Sequence, residues 1–127
     1  MKQVIADTNI FLRFILRDIS KQYKEAEALF KNAAHGKISL FIPQIIIFEI
    51  HFALEKYYSF KKTEITEKMK SLLSTDYFTI ESKEIFLPTI ELYRMSNLSF
   101  VDCFLLAKAQ GEGAELFTFD KKLEKLK

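Results

Sequence analysis

Short β-branched or aromatic runs alternate along this chain with longer segments of helical periodicity, and that alternation limits the available folds more than any other feature. Gln3-Val4-Ile5-Ala6 reads as a first strand, and Asp7-Thr8-Asn9 supplies cap-type side chains before a short helix carrying Ile10, Phe11, Phe14 and Ile15. Ser20 opens a second helix through Ala26, Leu29, Phe30 and Ala33, and Gly36 stands where a left-handed helix terminator is expected. Ile38 to Ile42 is a second strand ended by Pro43, which suits the first turn of the next helix, expected to reach about Tyr58. Thr63 caps another helix through Met69 and Leu73, and Tyr77 to Ile80 forms a third strand. A helix over Ser82 to Met95 should be kinked or split by Pro88. Ser99-Phe100-Val101-Asp102 has the form of a capping box before an apolar helix ending at Gly111 or Gly113. Glu115 to Phe119 reads as a fourth strand, with Asp120 opening a short basic terminal helix.

Strands separated by helices of this length pair in parallel through right-handed crossovers and bury both sheet faces under helices. The class is therefore α/β, and ligands are expected outside the carboxyl ends of the strands, near a switch point in strand order. The 127 residues, 49% hydrophobic and 28% charged, suit one domain spanning 1–127 with a core that needs no disulfide or structural metal. Three glycines and two prolines favour regular elements over disorder. A single cysteine, Cys103, and an N-terminus lacking the form of a secretory leader point to a cytoplasmic location. The longest uncharged run, Ile38 to Phe48, is interrupted by Pro43 and Gln44, so no membrane span is expected. The net charge of +2 neither requires nor forbids a nucleic-acid partner.

Four acids stand at the strand ends or on the helices beside them. Asp7 follows the first strand, Glu49 lies on the helix after the second, Asp102 starts the helix feeding the fourth, and Asp120 follows it. If these carboxylates converge, their mutual repulsion raises at least one pKa unless a divalent cation neutralises them. Hard oxygen ligands of this kind suit magnesium or manganese, with phosphate oxygens completing the shell. Each acid also has an ordinary structural reading. Asp7 and Asp120 are good N-caps, Asp102 is the acidic partner of Ser99, and Glu49 can be a helix-surface residue. Glu49 fits that reading least well, because its segment is apolar on most faces and a buried unpaired carboxylate is costly.

Taken together, these residues resemble the PIN-domain family, and within it the VapC-type toxins of toxin–antitoxin pairs. Val4 to Leu12, with Asp7, Thr8 and Asn9, is similar to the family's opening motif. Ile42-Pro43 leading to Ile47-Phe48-Glu49-Ile50 resembles the second, Ser99 to Ala107 the third, and Leu116 to Leu123 the fourth. The resemblance covers nearly the whole chain and implies a three-layer sandwich with a short, mostly parallel central sheet flanked by helices. It implies that Asp7, Glu49, Asp102 and Asp120 hold one or two Mg2+ or Mn2+ ions, with Thr8, Asn9 and Thr118 as supporting or substrate-orienting groups. It also implies endoribonuclease action on RNA, homodimers and neutralisation by a small antitoxin. Two other readings compete: a PIN-fold RNA-binding or scaffolding module without catalysis, and an RNA-processing nuclease that is not a toxin. A response-regulator receiver fits poorly, since Glu81 stands where its third-strand Asp would be.

Arg13 and Arg17, four apart on the first helix, could meet RNA phosphates or an antitoxin carboxylate, although a solvated helix face is the more ordinary reading. Lys56, Lys61 and Lys62, interleaved with Tyr57 and Tyr58, could form a strip for single-stranded RNA. His35 and His51 are isolated and receive no chemistry, and Cys103 is expected to be a packed residue rather than a nucleophile.

Overall fold

A computed structural model describes residues 1–127, and three strands and seven helices position everything that follows. Strands β1 (Lys2–Ile5), β2 (Ile38–Ile42) and β3 (Phe78–Ile80) form an all-parallel sheet in the order β1-β2-β3. Ile5 pairs with Phe41, and Ile42 with Ile80, so the strands end nearly level and their following loops emerge on one side. Helices flank the sheet: α1 (Thr8–Leu16), α2 (Ser20–Ala34), α3 (Gln44–Phe52), α4 (Lys62–Leu73), α5 (Lys83–Met95), α6 (Phe100–Glu112) and α7 (Lys121–Leu126). This is the α/β architecture that the alternation of elements predicts. Since strand order follows sequence order, the sheet contains no switch point, and β1 is an edge.

Most of the core is aromatic or branched aliphatic. Leu40 and Ile42 of β2 are completely buried, as a central parallel strand covered on both faces must be. Phe11, Phe30 and Phe78 pack ring against ring where α1, α2 and β3 meet, with centroids 5.1 to 6.0 Å apart. A second group, Phe48, Phe86, Phe100 and Phe104, joins α3 to α5 and α6. Gly36 and Gly113 end α2 and α6 with φ of +74° and +64°, the left-handed geometry that helix termination requires.

Four local expectations change. First, Glu115 to Phe119 is extended but pairs with no strand. Its alternating pattern is local, whereas a strand needs a partner; the Leu116 carbonyl instead accepts from Lys127 Nζ at 2.8 Å. Phe117 and Phe119 are consequently 77% and 92% exposed. Second, α5 runs unbroken through Pro88. The carbonyl that Pro88 leaves without a helical donor belongs to Glu84, and both residues are at the surface, where water can serve it. Third, α3 ends at Phe52 and continues as a π-helical turn over Ala53–Tyr57. Fourth, α4 begins at Lys62, ahead of Thr63, because Glu64 accepts from the Lys61 backbone N–H at 3.0 Å.

Candidate active site

Parallel strands that end level bring their following residues together. Asp7 comes two residues after β1, and Glu49 lies on the helix that follows β2 across Pro43. Both line one open cleft of about 710 Å³, with Thr8 and Asn9 beside Asp7. No lysine or arginine lines it, and neither acid is engaged in an ion pair.

Asp7 is the N-cap of α1, where its Oδ1 accepts from the Ile10 backbone N–H at 3.4 Å. The structural and the chemical readings of this residue are therefore compatible: a long, weak bond occupies one oxygen and leaves the other free. Glu49 departs from expectation. Its segment buries Ile46, Ile47 and Ile50 but leaves Ile45, Glu49 and Phe52 exposed along one stripe of α3, so the carboxylate carries no burial penalty for a cation to relieve.

Asp102 and Asp120 are placed differently. Asp102 is half-buried in the first turn of α6, and its backbone N–H donates to Ser99 Oγ at 3.1 Å. Its neighbour Val101 lines the cleft, whereas Asp102 itself is not among the lining residues. Asp120 caps α7 through Oδ1, which accepts from Lys122 and Leu123 at 2.8 and 3.3 Å, while Thr118 Oγ1 accepts from the Asp120 N–H at 3.0 Å. No three His, Cys, Asp or Glu side chains converge in the manner of a closed metal cage. The donor set inside the cleft is thus a pair of carboxylates. A pair suits magnesium, which keeps several waters and shares its shell with substrate phosphates, and it does not suit a fully protein-ligated ion.

The aromatic packing of α3 against α6 sets the angle between the helices bearing Glu49 and Asp102. Phe48 meets Phe100 and Phe104 edge-on, with centroids at 5.7 and 4.9 Å. His51, two residues beyond Glu49, stacks on Phe100 at 4.2 Å and meets Tyr93 edge-on. Burial pushes the imidazole pKa down to about 4, against the opposing pull of Glu55. The Tyr93 hydroxyl is driven up by its own burial and by donating to Glu55 at 3.1 Å. Spacing gave His51 no role because its partners come from α5 and α6, far away in sequence.

Arg13 is not in the cleft. Its Nη2 donates to the hydroxyl of the cleft residue Tyr58 at 2.8 Å and its Nη1 pairs with Asp18 at 3.1 Å. The lysine strip also disperses: Lys56 pairs with Glu55, and Lys62 donates to the Ser96 carbonyl and lies over the Tyr93 ring. Cys103 is buried, and burial raises its thiol pKa, as a packed residue requires.

An α/β domain that presents carboxylates at the carboxyl ends of adjacent parallel strands belongs to the class of acidic-cleft α/β proteins. Within that class the PIN domain matches residues 4–127, and the chain belongs to the PIN-domain family. It is also similar to a VapC ribonuclease of Aquifex aeolicus (strain VF5), 28% identical over 123 residues, covering 96% of this chain and 90% of the relative. No helix is long and apolar enough to cross a membrane.

Proposed function

We propose that the protein is a divalent-metal-dependent endoribonuclease that hydrolyses RNA phosphodiester bonds and acts as the toxin of a VapBC-type pair. The observation that carries this reading is the placement of Asp7 and Glu49 in one cleft without a counter-cation. Family membership and the likeness to a VapC ribonuclease support it. Asp7 and Glu49 are the residues to hold Mg2+ or Mn2+, with Asp102 as the third and Asp120 as the fourth carboxylate of the set. When bound, the cation supplies Lewis acidity that lowers the pKa of a water and neutralises charge building at phosphorus. The chain's own groups do the rest. Thr8 and Asn9 offer a hydroxyl and an amide to orient a phosphodiester beside Asp7, and the α1 N-terminus favours negative charge there. Thr118 holds the Asp120 backbone and so directs that carboxylate. Exposed Ile45, Val101 and Leu105 on α3 and α6 are apolar positions suited to a second copy or to a small antitoxin protein.

The test is cleavage of a pool of structured RNAs by wild type and Asp7→Asn, prepared identically, with manganese, magnesium or chelator. Cutting that needs the cation and is lost in the variant is the expected result. Equal behaviour of both proteins, together with the absence of a divalent-dependent thermal shift, would favour the scaffolding alternative.

A further inference from the structure

The cleft lining holds two chemically distinct sets of side chains, and only the acidic one is used by the reading above. Beside Asp7 and Glu49, the lining is aromatic: Phe52, one turn beyond Glu49 on α3, Tyr57 and Tyr58 line it, and Tyr57 is 74% exposed. Large rings left open to water inside a concavity are costly unless something covers them.

These rings are held in place rather than scattered. Phe52 and Tyr57 meet edge-on at 5.6 Å, which fixes their mutual orientation. Tyr58 is tethered by Arg13, whose guanidinium is held in turn by Asp18 and is only 13% exposed. The π-helical turn over Ala53–Tyr57 brings the chain from α3 to these rings. Its wide hydrogen bond, from the Tyr58 N–H to the Ala53 carbonyl five residues back, accommodates an extra residue in the turn and redirects the side chains that follow. Ser59, with φ of +53°, then turns the chain away directly after Tyr58.

Resting on the ribonuclease reading, we infer that Tyr57 and Tyr58, with Phe52, form a subsite that stacks an unpaired nucleobase of single-stranded RNA next to the phosphate bound at the carboxylates. The two sets match the two parts of a nucleotide. Carboxylates with a hard cation take the phosphate, and flat π-faces take the base, whichever base it is. A cleft of about 710 Å³ has room for a nucleotide. Without a lysine or arginine in the lining, backbone charge alone draws no RNA there, so the rings must provide the hold that does not depend on the cation. Arg13 is a positioning residue in this arrangement, acting through the Tyr58 hydroxyl.

Nucleoside 5′-monophosphates test this without turnover, because they contain no scissile diester. Titration into the full chain with magnesium, followed by NMR of labelled tyrosine rings, should move Tyr57 and Tyr58, while ribose 5-phosphate leaves them unmoved. Tyr57→Leu and Tyr58→Leu should each weaken nucleotide binding by at least about fivefold, the low end for base–aromatic stacking. Tyr58→Phe, which keeps the ring and frees Arg13, should weaken it less. Tyr77→Leu, on a ring outside this cleft, serves as the control. Equal binding of nucleotide and ribose 5-phosphate overturns the subsite, and if RNA is still cleaved the ribonuclease reading survives alone. Ring shifts that follow protein concentration instead of nucleotide overturn it in favour of a face between copies. Nucleotide stacking without RNA cleavage in any divalent metal would keep the subsite and remove the ribonuclease.

Discussion

His51 stacks on Phe100 with ring centroids 4.2 Å apart and planes 11° from parallel, tying the helix that carries Glu49 to the one that carries Asp102. The imidazole is buried, its Nε2 has no hydrogen-bond partner, and its pKa is depressed to about 4. A group that is harder to protonate folded than unfolded favours folding above its unfolded pKa, near 6.5, and costs stability as pH falls from there towards 4. The loss across that window should approach about 3 kcal/mol. Urea unfolding at pH 7, 6 and 5 should show about 2 kcal/mol of it in wild type and none in His51→Leu. Carboxylates such as Glu91, held below the usual range by hydrogen bonds from Lys70 and Arg94, add their own loss at lower pH in both proteins. The difference between the two curves isolates the imidazole, and parallel curves would rule out its contribution.

Phe100 is the hub of the same cluster, touching Phe48, His51, Phe86 and Tyr93 with its ring. Phe100→Ala should destabilise the fold by about 3 to 5 kcal/mol, the range for emptying an aromatic site in a packed core. Phe100→Leu should recover much of that. In the folded fraction of either variant, the first turn of α6 loses its anchor beside the cleft. Cleavage per folded molecule should therefore fall further than stability alone explains, and denaturant titration alongside initial rates separates the two effects.

Arg13 and Tyr58 should be energetically coupled. A double-mutant cycle with Arg13→Met and Tyr58→Phe is expected to give a coupling of about 1.5 kcal/mol, the low end for one hydrogen bond from a charged group. The half-exposed Asp18 adds little, since solvent screens its side of the pair. Additive single-variant effects would mean that the guanidinium does not hold the phenol in solution.

The order of elements was legible because periodicity and capping are local properties. What depends on neighbours was not. Glu49 looked buried because eight apolar residues crowd its segment, yet Ile45 and Phe52 share its exposed stripe, and only the packing of α3 decides which apolar residues reach the core. Glu115 to Phe119 carries strand-like alternation without a ladder, since pairing requires an edge elsewhere in the chain. The four acids could be read in order, but meeting is a matter of register: level ends of β1 and β2 unite Asp7 with Glu49, while the α7 cap occupies Asp120. The packing of Arg13 and His51 was illegible for the same reason, as their partners Tyr58 and Phe100 lie 45 and 49 positions along the chain.

Asp7 offers the sharpest separation of scaffold from chemistry, because its side chain has two distinct jobs open to it. As N-cap of α1 it needs only an oxygen acceptor, and asparagine caps about as well as aspartate. As a cation ligand it needs the negative charge. Asp7→Asn should thus unfold within a few tenths of a kcal/mol of wild type in chelator, yet lose the rise in melting temperature that manganese gives the wild type. Asp7→Ala should lose both, with a stability cost of about 0.5 to 1 kcal/mol, modest because the bond to Ile10 is long at 3.4 Å. The same pair of substitutions at Asp120 reads the opposite balance. Its carboxylate receives two backbone N–H donors, so Asp120→Ala should cost about 1 kcal/mol or more, and any change in manganese stabilisation for Asp120→Asn reports whether that carboxylate reaches the cleft. Should Asp7→Asn keep the full manganese shift, Asp7 would be a cap alone and the cation would have to be held elsewhere.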